Sequence, residues 1–277
     1  MLVFFKKKEK EIKIIIASIF GAVFTYFLYS YFGFNNVLAA SVVGVLAGLL
    51  FSSYAAPMYM GAFVGMVSDN VIMNIWFLAL ASFIAGLFFI YSRRYFKGLG
   101  GKLGGIAFIS ILLTLVFVQF FKIDVFSPEH FHSYNYWFFL AFVLAGAVSA
   151  YFTDKASDEI FTLIRLKTDS RVLGSALIGL LAGLILPRLL ASCIYFNFGL
   201  EMAMVVLITS FVGMTSSRVF EKDWEYPVAG GIAGLIYFFS GPLFPGFGGK
   251  AGSIAFISVF IFVKIYNLIK KKRAENV

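Results

Sequence analysis

Charge, cysteine and histidine are all scarce in this chain. Only 13% of its 277 residues are charged, against roughly 25% in a soluble domain, while 61% are hydrophobic. This deficit excludes an ordinary soluble domain and predicts an integral membrane protein. The single cysteine, Cys193, excludes an internal disulfide and a metal site built from several cysteines. His130 and His132 stand beside Glu129 in one loop without an evident fourth ligand, so no metal or cofactor is expected.

Long apolar runs make up most of the sequence. They are mostly 16–21 residues long, and at about 1.5 Å per residue a helix of that length crosses a hydrocarbon core of about 30 Å. The strict alternation of outer-membrane strands is missing. We therefore predict an all-α integral membrane protein with about ten transmembrane helices. The predicted segments are 13–31, 36–53, 55–69, 71–91, 104–121, 136–153, 172–189, 198–216, 226–241 and 252–269.

One glycine-rich string occurs twice in the chain. Residues 100–110 read GGKLGGIAFIS and residues 248–258 read GGKAGSIAFIS, with Lys102 and Lys250 at equivalent positions 148 apart. The same offset aligns residues 63–68 with 211–216, both of which carry the pattern FVGMxS. Matches of this extent predict an internal duplication.

The duplication divides the chain into two repeats of five helices. Residues 1–121 form the first repeat, 136–277 form the second, and 122–135 are the linker between them. An odd number of spans per repeat predicts that the second repeat lies inverted in the membrane. One alternative stays open: segment 55–69 is short and contains Pro57, so it is either a span or a broken, re-entrant helix.

The basic residues agree with the inverted arrangement. They concentrate at 6–13, 93–102, 155–171 and 270–273, all on the side that the span count assigns to the cytoplasm. We therefore expect a plasma (inner) membrane protein with both termini cytoplasmic. The net charge of +9 lies in short blocks at span ends, so no nucleic-acid partner is expected.

The repeated string is the first candidate site. Adjacent glycines, here ending in Gly101 and Gly249, let backbone amides approach a ligand, and the helix that follows begins with unpaired N–H groups. A lysine at that position predicts a site for an anion or a polarised oxygen. The spacing is not that of a phosphate-binding P-loop. The alternative is a tight helix–helix turn with a lysine that extends to the membrane interface.

Hydroxyls and methionines near the ends of the apolar segments are further candidates, because they line polar paths or pack helices together. The candidate binding or pathway residues are Lys102, Lys250, Gly101, Gly249, Ser68, Ser216, Met66, Met214, Ser110 and Ser258. Acids within a membrane are functional candidates by default, which makes Glu201 and Asp69 candidates for coupling. Glu201 lies near the end of its segment, and the alternative is that it reaches the outer interface.

The expected function is a transporter or channel for a small neutral or anionic solute. Inverted repeats place substrate sites where broken, glycine-rich elements of both repeats meet near the membrane midplane. The architecture resembles that of urea and ammonium channels, a likeness of fold that sets no substrate. The expected partners are this solute and the lipid bilayer, and association into a homo-oligomer is left open.

Two other functions remain as alternatives. A flippase for lipids or polyprenyl phosphates would use Lys102 and Lys250 to receive a head group in each leaflet. A membrane-embedded enzyme is disfavoured because the sequence has no nucleophile–base arrangement and no paired intramembrane carboxylates.

Overall fold

The computed structural model describes residues 2–68, 71–72, 74–120, 136–164, 170–191, 197–241 and 243–275. Within these residues the chain forms ten α-helices, one short 3₁₀ turn and no strand, which confirms the all-helical prediction. The helices are α1 (Leu2–Phe32), α2 (Asn36–Leu50), α3 (Ala55–Gly65), α4 (Ile75–Ser92), α5 (Lys102–Phe120), α6 (Tyr136–Ile164), α7 (Ser170–Leu189), α8 (Phe198–Gly213), α9 (Glu225–Ser240) and α10 (Lys250–Glu275).

Six of these helices are long and apolar enough to cross a membrane, by length and composition: α1, α4, α5, α6, α7 and α10. The helices α2 and α8 are apolar but shorter. The third segment forms a helix of only 11 residues. At about 1.5 Å per residue, α3 is roughly half as long as a hydrocarbon core is thick.

Large apolar side chains cover the outward faces of the bundle. Val116, Phe120 and Leu268 are 65%, 82% and 63% exposed, and many similar residues lie beside them. Soluble monomers rarely expose apolar surface on this scale. The exposed faces and the helix lengths together are those of a helical membrane protein.

The helices of the two halves have the same neighbours. In the first half, α1 contacts α2, α3 and α4, while α3 contacts α2, α4 and α5, and α4 contacts α5. In the second half, α6 contacts α7, α8 and α9, while α8 contacts α7, α9 and α10, and α9 contacts α10. The two halves are joined chiefly by α2 against α7 and by α5 against α10. The short helices α3 and α8 are central, and almost every residue of α3 is buried.

The crossing of α2 and α7 is antiparallel. Gly48 lies against Leu173, and Gly183 lies against Leu38. Asn35 ties the two helices together: its Oδ1 caps α2 by accepting from the Leu38 N–H at 2.8 Å, and its Nδ2 donates to the Gly183 carbonyl at 2.9 Å. One side chain therefore begins α2 and fixes its position on α7.

Candidate functional site

The two copies of the glycine-rich string meet in space at the start of α5 and α10. A Cβ atom on Gly104 would lie 2.5 Å from the Cα of Gly252, and a Cβ on Gly252 would lie 2.5 Å from the Cα of Gly104. Gly249 lies against the backbone of Phe108, and Gly101 against that of Phe256. The two helices therefore overlap at their N-terminal ends and run in opposite directions. Only glycine allows this approach.

The loop before each of these helices docks on the opposite half. The Ser216 N–H, just after α8, donates to the Gly98 carbonyl at 2.8 Å, and the Ser68 N–H, just after α3, donates to the Gly246 carbonyl at 2.9 Å. Gly98 and Gly246 have φ values of 78° and 71°, in the left-handed region. Each loop thus closes the end of a short helix that belongs to the other half.

The two lysines point back toward the preceding helices. The Lys102 ammonium donates to the carbonyls of Ser92 and Tyr95 at 2.5 and 2.7 Å, at the C-terminal end of α4. The Lys250 ammonium donates to the Gly241 carbonyl at 2.5 Å, at the C-terminal end of α9. Cations at a helix C-terminus satisfy its last carbonyls and its dipole. These contacts favour the interpretation of the string as a helix–helix turn that its lysine stabilises.

A cavity lies on each side of the meeting point. The Lys102 cavity has a volume of about 280 Å³ and lies between the loop before α5 and the end of α8, where Met214 lines it. The Lys250 cavity has a volume of about 230 Å³ and lies along the loop before α10, where Met66 lines it. Each cavity is therefore built from the glycine-rich loop of one half and the methionine of the other.

An aromatic cluster fills the centre of the bundle. The rings of Phe63 and Phe211 have centroids 4.8 Å apart, and Tyr59 packs on Phe63 at 4.3 Å. All three side chains are buried. Phe63 and Phe211 also line the Lys102 cavity, so they form its inner end.

The two cavities carry different charges. Arg93, Lys97 and Lys102 line the Lys102 cavity, and none of its described lining residues is acidic. The Lys250 cavity contains Glu201, whose carboxylate accepts from the Tyr237 hydroxyl and attracts the Lys250 ammonium. One cavity is thus purely basic, while the other combines an acid with a base.

No protein-family model matches the chain, and neither a curated protein nor a solved structure matches it at a significant level. Its function is therefore argued from its own geometry.

The ends of α3 and α8 differ in how their carbonyls are satisfied. At the end of α8, the Arg171 guanidinium donates to the carbonyls of Met214 and Thr215, and the Tyr226 hydroxyl donates to Thr215 at 3.1 Å. The residue equivalent to Arg171 in the first half is Asn36, at the same offset of 135 that relates α2 to α7. Asn36 lines the Lys250 cavity.

The remaining predicted site residues are not part of the two cavities as described. Ser110 and Ser258 are buried and donate to carbonyls of their own helices, Ile106 at 2.7 Å and Ala255 at 2.8 Å, and neither lines the Lys102 cavity or the Lys250 cavity. Asp69 lies outside the described residues, as does the loop that contains the two histidines.

Three functional candidates were missed from the sequence: Asn36, Arg171 and Tyr237. The sequence does contain a signal for Asn36 and Arg171, because the 135-residue offset between the repeats makes them equivalent positions with different side chains. Tyr237 is an ordinary tyrosine in an apolar segment, and only its contact with Glu201 distinguishes it.

Proposed function

We propose that this protein is a membrane transporter or channel in which a small neutral or anionic solute passes between the Lys102 cavity and the Lys250 cavity. The observation that carries the proposal is the meeting of the two glycine-rich strings at Gly104 and Gly252, with a cavity beside the loop that precedes each helix. Non-helical backbone at membrane depth is tolerated where it is buried in protein or lines a water-filled cavity. Both loops have such surroundings.

Two antiparallel crossings support an inverted relation between residues 1–121 and 136–277. The helices α2 and α7 run in opposite directions, as do α5 and α10, and the helices of both halves have the same neighbours. A two-fold axis perpendicular to these helices accounts for all three observations. Residues close to such an axis contact their own counterparts, as Phe63 and Phe211 do. An axis perpendicular to membrane-crossing helices lies in the membrane plane, which is the arrangement of inverted-repeat transporters.

The distribution of charge supports a cytoplasmic location for both termini. Lys155 bonds Asp223 at 2.8 Å and Lys270 lies 3.9 Å from Glu221, so the end of α6, the loop after α8 and the C-terminal part of α10 share one end of the bundle. The loop before α5, with its basic residues, contacts Ser216 at the start of that same loop after α8. By the positive-inside rule this end faces the cytoplasm of a plasma (inner) membrane protein.

The dimensions of the cavities limit the solute. A water molecule takes about 30 Å³ of liquid volume, so cavities of about 280 and 230 Å³ hold a solute of roughly ten non-hydrogen atoms at most. The basic lining of the Lys102 cavity favours a neutral or anionic solute. Phe63 and Phe211 separate this cavity from the rest of the bundle, so passage requires these rings to move.

The test is solute flux in liposomes that contain the purified protein. Stopped-flow light scattering would follow the entry of urea, glycerol, formate and nitrate, with valinomycin and potassium present for the anions. We expect at least one of these solutes to cross faster than in protein-free vesicles. Phe63→Ala should accelerate that solute because it removes part of the aromatic barrier. The matched control is Ile109→Leu, on the exposed face of α5, which should leave the flux unchanged.

Other outcomes would reject this function. If none of the solutes crosses but a fluorescent lipid becomes accessible to dithionite from outside, the protein is a flippase. If Phe63→Ala and Ile109→Leu change the flux equally, the path does not run past the aromatic cluster. Product formation from a substrate in detergent, without any compartment, would indicate an enzyme.

A further inference from the structure

Asn36 lines the Lys250 cavity, whereas the equivalent position in the other half is Arg171, which donates to the end of α8. We propose that the Lys250 cavity binds a small monovalent cation at the C-terminal end of α3, where the other half of the molecule places the Arg171 guanidinium. This inference rests on the proposed function only in assigning the cation to the transport cycle. The binding site itself is argued from the comparison of the two helix ends.

The end of α8 shows what the end of a short buried helix requires. Arg171 supplies a positive charge and donates to the carbonyls of Met214 and Thr215. The C-terminal end of a helix carries the negative end of its dipole, so a cation is stabilising there. The second half of the chain meets this requirement with a side chain of its own.

The end of α3 has oxygen acceptors in place of that cation. Asn36 takes the position equivalent to Arg171, and its Oδ1 is buried without a partner among the described residues. Asn36 and Met66, the residue that follows α3, line the same cavity. The exchange of a long guanidinium side chain for a short amide therefore leaves space beside this helix end.

A second buried oxygen, the hydroxyl of Ser68, lies beside the same space. Ser68 is only 8% exposed, and its Oγ has no hydrogen-bond partner among the described residues. It lies against Gly246, which lines the cavity. Buried polar groups are normally satisfied, so unpartnered oxygens beside a cavity indicate a ligand that supplies the missing contact.

The charges of the cavity set the valence of the ligand. Glu201 and Lys250 are its lining residues with a formal charge, and these charges cancel. The Lys250 ammonium is directed at the Gly241 carbonyl. A single positive charge at the end of α3 would match the one that Arg171 provides at α8, whereas a divalent cation would leave a larger excess in an apolar bundle. Ends of broken helices coordinate coupling cations in membrane carriers for the same electrostatic reason.

The test measures binding without transport. Thermal unfolding of the purified protein in detergent would be recorded while NaCl or methylammonium chloride replaces choline chloride at constant ionic strength. A cation at one hundred times its dissociation constant should raise the Tm of the wild type by about 5–10 °C. A response to Na⁺ alone identifies a free metal cation, and a response to methylammonium alone identifies an ammonium group carried by a solute.

Three variants and one control separate this site from general salt effects. Asn36→Arg places a guanidinium at the end of α3, so its Tm should no longer respond to either cation. Asn36→Leu and Glu201→Gln should each weaken the apparent affinity about tenfold or more, which corresponds to one charge-assisted contact. These two variants keep the test decisive if Asn36→Arg does not fold. Ile109→Leu should respond as the wild type does.

Equal Tm values in sodium, methylammonium and choline would overturn the proposal, as would a full response in Asn36→Arg or Asn36→Leu. Liposome flux distinguishes this failure from that of the transport function. A cation response without solute flux would leave the site standing and reject the transporter, and flux without a cation response would do the reverse.

Discussion

The Lys102 cavity and the Lys250 cavity have the same construction and different chemistry. In both, a loop with glycines at positive φ docks on the end of a short helix, and a lysine caps the helix before the loop. Their linings diverge, with Arg93 and Lys97 at one cavity and Glu201 and Tyr237 at the other.

The difference follows from what each group of residues contacts. Gly104 and Gly252 meet backbone atoms at distances that leave no space for a side chain, so the position admits glycine alone. Side chains that line a cavity are not in contact with backbone on the cavity side. Their identity can therefore differ between the two halves without a loss of packing. The common framework therefore fixes where the cavities are, and the divergent linings give each cavity a different charge.

The largest effect is expected where the two halves touch. Gly104→Ala should lower the free energy of unfolding by about 3 kcal/mol or more, because its Cβ would overlap the Cα of Gly252 and backbone cannot move aside easily. Gly252→Ala should cost a similar amount if the crossing is symmetric. The measurement is unfolding in mixed micelles, monitored by tryptophan fluorescence or circular dichroism.

Gly105 provides the matched control for this experiment. A Cβ at Gly105 would meet no atom within 4 Å, although the residue is next to Gly104 in the same helix. Gly105→Ala should be neutral or stabilise the protein by up to about 1 kcal/mol, through helix propensity. Equal destabilisation by the Gly104 and Gly105 substitutions would mean that the close crossing of α5 and α10 does not exist.

A smaller effect is expected at the ends of the short helices. Arg171→Met should cost about 2–3 kcal/mol, since it leaves the carbonyls of Met214 and Thr215 without their charged donor. Asn36→Ala, at the equivalent position, should cost less than about 1 kcal/mol in a buffer without small cations, because its Oδ1 has no described partner to lose. Chemical unfolding of both variants in choline chloride measures the contrast. Equal losses would show that the two helix ends are capped in the same way.

Substitutions of the two lysines should lower the free energy of unfolding by amounts that differ less than those for Arg171 and Asn36. Lys102→Met removes two hydrogen bonds to carbonyls and Lys250→Met removes one, so we expect losses of about 2 and about 1 kcal/mol, respectively. Both side chains are half-buried, which limits the effect of solvent screening. Arginine at either position should restore part of the stability, because a guanidinium also donates to carbonyls. A loss of solute flux at full stability would contradict the capping role and indicate direct contact with the solute.

The sequence predicted the helices of this molecule better than the roles of its side chains. Hydropathy located all ten helices because each of them lies in an apolar run, and the short length of α3 and its Pro57 left that segment open between a span and a broken helix. The role of the two glycine-rich strings was left open between a binding site and a tight helix–helix turn. The direction of the side chains could not be predicted. A lysine at this position can bind an anion or donate to a carbonyl. The distance between Lys102 and the Ser92 carbonyl depends on how the intervening loop folds.

The smallest expected effect concerns the hydroxyl that distinguishes Tyr237 from the phenylalanine at the equivalent position of the first half. Tyr237 lines the Lys250 cavity and donates to Glu201, whereas Phe89, its equivalent at an offset of 148, lines the Lys102 cavity. Tyr237→Phe should therefore lower the free energy of unfolding by about 1 kcal/mol or less, since the ring and its packing on Phe142 remain. Tyr237→Phe should also reduce the rise in Tm that the cation causes, because the Tyr237 hydroxyl orients the Glu201 carboxylate that lines the cavity. Phe89→Tyr, which has no carboxylate among the described lining residues to meet, should change neither quantity. Equal effects of Tyr237→Phe and Phe89→Tyr on stability and on the cation response would show that the hydrogen bond to Glu201 does not matter for either property.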